Sequence, residues 1–123
     1  MTELVTCSYA AWRPSLGQPV VASLGLPRDR PEAAGWPRCW VITPRWTYWK
    51  AADWQDQYLN QLDRFGARKI ARALHQIGRE TGAQRLAVLC FESVPELCHR
   101  GLLAEWWLRA TGERINEITE EEQ

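Results

Sequence analysis

The stretch Leu86-Ala87-Val88-Leu89-Cys90-Phe91-Glu92 decides the fold of this chain. Six apolar residues precede the glutamate, a run typical of a strand that is buried on both faces within a parallel or mixed sheet. A largely apolar helix is predicted to follow it, beginning near Pro95 and ending at Gly112. A buried strand followed at once by a buried helix predicts a layered α/β domain.

Two more helices are predicted ahead of this strand. From about residue 51 the apolar residues recur at steps of three and four, which places them on one face of a helix. Gly66 and Gly82 are well placed to end the two helices, because glycine readily adopts the backbone conformation of a helix end. The apolar faces comprise Trp54, Tyr58 and Leu62 in the first helix and Ile70, Leu74 and Ile77 in the second.

Four other short strands are predicted, over residues 4–6, 20–24, 40–43 and, at an edge, 114–118. The loops between the first three are too short or too rich in proline to hold crossover helices, so the sheet could be mixed. We therefore expect one α/β domain over residues 1–118, with a parallel or mixed sheet of about five short strands flanked by helices. The acidic residues 119–123 are expected to form a disordered tail.

The charge balance and the hydrophobic pattern exclude some classes of protein. The 15 basic and 15 acidic residues cancel, which does not favour nucleic acid as a partner, although it leaves that partner open. No apolar run approaches the roughly 20 residues that a membrane span needs, and the first residues do not resemble a signal peptide. We therefore expect a cytoplasmic protein without membrane contact, whose four cysteines are reduced thiols.

The segment from Cys90 to Arg100 is where the sequence concentrates reactive side chains. Cys90 and Glu92 lie at or just beyond the carboxyl end of the buried strand, and Cys98, His99 and Arg100 fall in the first turns of the next helix. Ligands of open α/β sheets bind beyond the carboxyl ends of the strands. A helix N-terminus favours anions, and Arg100 would add a bidentate donor. The pattern thus predicts an anion-binding site.

Each of these residues also has a purely structural interpretation. Cys90 and Cys98 could be small buried residues, although a neighbouring cation could activate Cys98 as a nucleophile. His99 could be a general base, a ligand or a capping residue. Glu92 could be an acid/base group or the salt-bridge partner of Arg100. A metal site built from Cys90, Glu92, Cys98 and His99 is a further alternative, although the spacing matches no common zinc pattern.

The same residues carry a resemblance. Residues 86–118 resemble the C-terminal signature of the family catalogued as domain of unknown function 488, in which an apolar strand ends in Cys-x-Glu and Cys-His-Arg opens a helix. Residues 6–28 and 57–74 resemble that family as well. The resemblance implies a site that adds Ser8, Tyr9 and Arg28 to the five residues of the segment 90–100. Relatives often carry Asp-Val-Arg after the second strand, and this chain has Ser23-Leu24-Gly25-Leu26-Pro27-Arg28 there, which argues against a mechanism with two carboxylates.

Eight tryptophans are the outstanding feature of the composition. Trp54, Trp106 and Trp107 lie at helical spacing and are predicted to be core. Trp36, Trp46 and Trp49 lie in loops, mixed with basic residues. These three resemble an aromatic surface that could stack on bases, contact a protein partner or cover the site.

Two functional hypotheses follow from these patterns. The first is a small protein that binds a phosphate- or nucleobase-containing ligand at the strand ends. In this hypothesis Arg100 holds the anion, Glu92 acts as acid/base and Cys98 or His99 supplies the second catalytic group. Ser8, Tyr9, Arg28 and Cys90 would complete the binding site. The alternative is a non-catalytic module whose Trp/Arg surface binds nucleic acid, a nucleotide or a protein partner. Neither hypothesis requires a cofactor or a metal.

Overall fold

A computed structural model of the chain describes residues 2–91 and 99–118. These residues form a parallel four-stranded sheet in the order β2-β3-β1-β4, together with three α-helices. The strands are β1 (Glu3–Ser8), β2 (Gln18–Val21), β3 (Arg85–Cys90) and β4 (Asn116–Ile118), and the helices are α1 (Trp54–Phe65), α2 (Ala67–Thr81) and α3 (His99–Thr111). The predicted α/β class is confirmed.

Strands β1 and β3 form the centre of the sheet. Their parallel register runs from Glu3 opposite Arg85 to Ser8 opposite Cys90. The last five residues of each strand are buried, because each strand has a hydrogen-bonded neighbour on both sides and packed layers above and below. The unbroken apolar run after Arg85 is therefore explained by a central position in a parallel sheet.

The two faces of the sheet are covered in different ways. Alternate side chains such as Leu4, Leu86 and Val88 pack with residues of all three helices in the larger core. The opposite face, which includes Val5 and Cys7, packs against loop residues. The loop side chains of that smaller core are Tyr9, Ala11, Trp12, Leu16 and Trp36. The helices thus form one layer, and loops cover the other face.

The predicted strand over residues 40–43 is wrong, because Trp40–Ile42 forms a turn of 3-10 helix. The backbone carbonyls of this segment bond to side chains of α1. Tyr58 donates its hydroxyl to the carbonyl of Ile42 (2.7 Å). Gln61 donates its amide to the carbonyls of Val41 (3.1 Å) and Thr43 (2.9 Å). With these acceptors satisfied, the segment has no need of a neighbouring strand.

A backbone bridge just before this segment covers part of the sheet edge at β2. Val21 forms an isolated parallel bridge with Arg38, in which Val21 N–H donates to Pro37 O (2.8 Å) and Cys39 N–H donates to Val21 O (3.1 Å). A single bridge replaces the fifth predicted strand. It also covers part of an edge that would otherwise offer unpaired backbone groups.

The remaining elements follow the sequence closely. Gly66 and Gly82 directly follow α1 and α2, and both have positive φ angles. Strand β2 lies over Gln18–Val21, slightly before the predicted residues 20–24, and β4 is the shorter Asn116–Ile118. The predicted helix start near Pro95 and the predicted acidic tail 119–123 lie outside the described residues. Within the described residues, no helix is both long enough and apolar enough to cross a membrane.

Candidate functional site

The carboxyl ends of three parallel strands meet at one edge of the sheet. Ser8 at the end of β1 lies opposite Cys90 at the end of β3, and Tyr9 N–H donates to Cys90 O (3.0 Å). On the other side of β3, Ala22 N–H donates to Leu89 O (3.1 Å) just after β2. The structure therefore brings Ser8, Tyr9 and Cys90 together, next to the end of β2.

Arg100 of α3 reaches this edge and is completely buried. Its Nε lies 3.0 Å from each carboxylate oxygen of Glu117, and its Nη1 donates to Cys90 Sγ (2.9 Å). Its Nη2 is buried and has no hydrogen-bond partner among the described residues. A buried guanidinium normally has all its donors satisfied. The unsatisfied Nη2 is therefore the most unusual feature of the site.

The carboxylate partner of Arg100 is a residue that the sequence did not single out. Glu117 lies on β4 opposite Thr6 of β1, whose hydroxyl donates to Glu117 Oε1 (2.6 Å). Glu92, which the sequence suggested as the partner, lies outside the described residues, as does Cys98. A charged residue within the predicted edge strand 114–118 was the available signal for Glu117. The sequence alone could not show that this side chain faces α3, because its orientation depends on the parallel pairing of β4 with β1.

His99 is buried against the end of β2. Its Nε2 bonds to the carbonyl oxygen of Ala22, so this nitrogen carries the proton and donates. The ring also makes edge contacts with Trp49 (5.8 Å between centroids) and Tyr58 (5.4 Å). Burial, together with the nearby Arg100 charge, lowers the pKa of His99 to about 4. A neutral, donating imidazole ties α3 to β2 and is poorly suited to act as a general base near pH 7.

The hydroxyls at the end of β1 are committed to local bonds. Ser8 Oγ accepts a hydrogen bond from Ala11 N–H (3.1 Å), and Tyr9 OH bonds to Ser23 Oγ (2.7 Å). Ser23 in turn donates to the carbonyl oxygen of Gly25 (2.7 Å). Burial raises the pKa of Tyr9 above its usual value, so its hydroxyl is a neutral hydrogen-bonding group here.

Exposed aromatic side chains border this edge. Phe91 directly follows β3, is 47% exposed and packs against Tyr9 with 5.0 Å between ring centroids. Trp40 is 54% exposed. The guanidinium of Arg38 lies 4.5 Å from the centre of the Trp40 ring and donates to the carbonyl oxygen of Ser23. We call Phe91, Arg38 and Trp40 the aromatic rim.

The remaining predicted ligand-binding residue, Arg28, is exposed on the loop that follows β2. The sequence assigned Trp40 to a strand, which hid its exposure.

A comparison with models of known protein families identifies the family of this chain. The model of the family described as "Domain of unknown function DUF488" matches residues 43–107, more than half of the 123 residues. The chain belongs to this family. The matched region runs from the segment before α1 through β3 and into α3. No curated protein and no solved structure matches the chain.

The three loop tryptophans of this DUF488 chain lie in different surroundings. Trp36 is half-buried and packs against Trp12 (5.0 Å between centroids). Trp49 is half-buried between Trp54 (5.1 Å) and His99. Trp46 is 73% exposed. Of the three, Trp46 alone offers most of its ring to a partner.

The cysteines of the DUF488 chain differ from expectation. Cys90 is disulfide-bonded in the structure, so the prediction of four reduced thiols is wrong. Cys7 and Cys39 are free and buried, and burial raises the pKa of each thiol to about 11. Neither is a reactive thiolate near pH 7.

Metal binding was the last alternative for this segment. Among residues 2–91 and 99–118, no three histidine, cysteine or acidic side chains lie close enough together to hold a metal ion. Two members of the predicted set, Glu92 and Cys98, lie outside those residues.

Proposed function

We propose that this DUF488 chain binds a phosphate-bearing ligand at the carboxyl ends of β1, β2 and β3, with Arg100 as its anchor. The observation that carries the proposal is the buried Nη2 of Arg100, which has no hydrogen-bond partner within residues 2–91 and 99–118. Leaving a charged donor buried and unsatisfied costs more than an ordinary hydrogen bond contributes. A phosphate or carboxylate oxygen would satisfy it with a charge-assisted bond.

The ion pair with Glu117 is compatible with this role. Glu117 bonds to Nε, which leaves the Nη2 donor for a ligand while the pair keeps the guanidinium fixed. A fixed guanidinium loses little side-chain entropy when it binds an anion. Because Arg100 is completely covered, a ligand reaches it only after the covering side chains move, which predicts slow association.

The aromatic rim supports a nucleotide as the ligand class. Phe91 and Trp40 are exposed aromatic rings near the ends of the strands, and Arg38 lies over Trp40. Base–aromatic stacking contributes about 1–3 kcal/mol per base. The rim would bind the base while Arg100 binds the phosphate.

Any catalysis at this site would rest on Glu92 as acid/base, and Cys98 could serve as the second group only as a free thiol, under the reducing conditions included in the screen below. The sequence places both between Cys90 and Arg100. His99 fits a positioning role better than a catalytic one, since its Nε2 donates to Ala22. In this proposal Ser8, Tyr9 and Cys90 form the floor of the binding site, and Arg28 remains a candidate contact.

A thermal-shift screen tests the proposal, because a ligand that binds the folded state raises its melting temperature. The screen compares inorganic phosphate, sugar phosphates, nucleosides and nucleotides, with and without a thiol reductant because Cys90 is disulfide-bonded. We expect nucleotides to give the largest shift. Trp40→Ala should reduce the nucleotide shift and leave any phosphate shift unchanged. Arg109→Gln, an exposed change on α3, should alter neither. If no phosphate compound shifts the parent, the proposal is wrong.

The exposed Trp46 favours a second candidate, the non-catalytic Trp/Arg module. Short oligonucleotides added to the same screen address it through quenching of tryptophan fluorescence. Quenching that Trp46→Phe abolishes and Trp40→Ala does not would favour this module over the nucleotide site.

A further inference from the structure

Helix α2 carries a row of basic side chains on its exposed surface. Arg68, Arg72, His75 and Arg79 are separated by four, three and four residues, and all four are exposed. This spacing places them along one side of a helix over about 16 Å. We call them the α2 stripe. The opposite side of α2 buries Ile70, Leu74 and Gly78.

Two adjoining grooves lie along the α2 stripe. The first, of about 330 Å³, is bordered by Arg68, Arg72 and His75. The second, of about 410 Å³, is bordered by Arg72, His75 and Arg79, together with Gln76 and Glu80 of the same helix. Because they share Arg72 and His75, the two grooves adjoin each other on the surface of α2.

The floor of the first groove is apolar. Leu4, Leu74 and Trp107 line it, and each is less than 10% exposed. Glu113, the one carboxylate among the described residues that line it, already accepts the indole N–H of Trp107 (3.0 Å). Leu4 lies near the start of β1, so the groove is at the amino ends of the strands, away from the Arg100 site.

Within the described residues the arginines of the α2 stripe form no ion pair, although Glu113 and Glu80 line the same grooves. In the described part of the chain the ion pairs are Arg85–Glu3 and Arg100–Glu117, and neither includes a stripe residue. Within α2 itself, four arginine or lysine residues face a single glutamate, Glu80. A chain with no net charge therefore displays a local positive row beside an apolar groove.

We propose that the α2 stripe and its groove bind a helix of a partner protein that presents acidic side chains along one side and aliphatic side chains beside them. A helix lying along α2 repeats its side chains at the same three- and four-residue steps, so carboxylates at that spacing meet the stripe. The aliphatic side chains enter the groove above Leu4, Leu74 and Trp107, as amphipathic helices do in other grooves.

A nucleic-acid strand fits these observations less well. Phosphates would pair with the arginines, but the apolar floor would gain no partner, because nucleic-acid interfaces are more polar than protein interfaces. The acidic helix uses both the charge and the groove.

Fluorescence anisotropy tests this proposal with a labelled synthetic helix that carries glutamates at intervals of four, three and four residues and leucines on the adjoining face. We expect the parent chain to bind this peptide more tightly than a scrambled peptide of the same composition. The double variant Arg72→Glu/Arg79→Glu should weaken binding by about tenfold or more. A peptide with lysines in place of the glutamates should recover affinity for that double variant.

Two controls separate the possible outcomes. Arg109→Glu changes an exposed cation on α3 and should leave peptide binding unchanged. The stripe variants should also melt like the parent and keep any nucleotide-induced thermal shift, so this test is independent of the Arg100 site. The proposal is overturned if the parent does not bind the acidic helix or if the double variant binds it equally well. Stripe-dependent binding of an oligonucleotide of matched charge, tighter than that of the peptide, would also overturn it.

Discussion

Two ion pairs of this chain differ mainly in burial. The side chains of Arg85 and Glu3 are 39% and 53% exposed, whereas those of Arg100 and Glu117 are 0% and 21% exposed. Water screens the first pair and competes with it, so it contributes little to stability. In the second pair, the loss of one partner leaves a buried, uncompensated charge.

We therefore predict that Glu117→Ala destabilises the fold by about 3–5 kcal/mol. Glu3→Ala, the matched change at the exposed pair, should cost less than about 1 kcal/mol. Urea unfolding of both variants and the parent gives the comparison directly. Equal costs for the two substitutions would contradict the importance assigned to burial of Arg100.

Burial of His99 makes stability depend on pH. The unfolded chain protonates this ring below its ordinary pKa of 6.5, whereas the folded chain keeps it neutral down to about pH 4. The unfolded state therefore binds more protons between pH 6.5 and 4, and stability falls as the pH drops through this window. The difference between the two pKa values corresponds to roughly 3 kcal/mol.

We predict that His99→Gln flattens the pH dependence of the unfolding free energy between pH 4 and 6.5. Glutamine can still donate to the carbonyl of Ala22 but does not titrate. His75→Gln changes the exposed histidine of α2 and should keep the parental profile. Unfolding free energies measured across this pH range test the prediction, and a His99→Gln profile parallel to the parent would refute it.

At the scale of the elements, the loop that follows β1 replaces a helical layer. Trp12 is 8% exposed, packs against Trp36 and donates its indole N–H to Gly17 O (3.2 Å). Arg30 lies 5.5 Å from the centre of its ring. One indole thus joins three parts of the loop layer to the sheet face that bears Val5 and Cys7.

We predict that Trp12→Ala costs about 3–5 kcal/mol, as truncations of buried aromatic residues do. Trp46→Ala removes the same side chain from a position that is 73% exposed and should change stability by less than about 0.5 kcal/mol. Chemical denaturation of the two variants and the parent gives the change in unfolding free energy for a buried and for an exposed tryptophan. A mild effect at Trp12 would mean that the loop layer contributes little.

The sequence correctly predicted the elements that have a clear hydrophobic pattern within their own residues. Both helices after residue 51 end at the expected glycines, and the apolar run at Leu86 forms β3, one of the two central strands. Residues 40–43 were misassigned because their apolar run and a following proline suit an edge strand as well as a 3-10 turn. Long-range donors decide between the two: Tyr58 and Gln61 on α1 bond to that backbone, and no local pattern reveals them.

The candidate site was likewise predictable only where local sequence patterns determine it. Placement of Ser8, Tyr9 and Cys90 followed from strand ends, which local patterning defines. The partnership of Arg100 with Glu117 depends on β4 pairing with β1 in a parallel register, which is tertiary information. The burial of His99 also depends on where β2 ends, since its ring bonds to Ala22.

At the scale of the whole molecule, the sheet separates two surfaces. The Arg100 site and the aromatic rim lie at the carboxyl ends of the strands, and the α2 groove lies at the amino ends. The two proposed sites therefore use opposite edges, and a partner helix on α2 leaves the other edge accessible. The substitutions proposed for one site should accordingly act independently of those at the other.

The pairing of β1 with β3 also affects how the chain folds while it is being synthesised. Glu3 and Arg85, which pair at the start of the two central strands, lie 82 residues apart. At the usual pace of translation the first strand waits roughly 4 to 16 seconds for its partner to be made. During that interval the apolar residues of β1 have no sheet to join, and the nascent chain presents them to chaperones and proteases. Ribosomal pausing before residue 85 would therefore lower the yield of folded protein without any change in the stability of its final state.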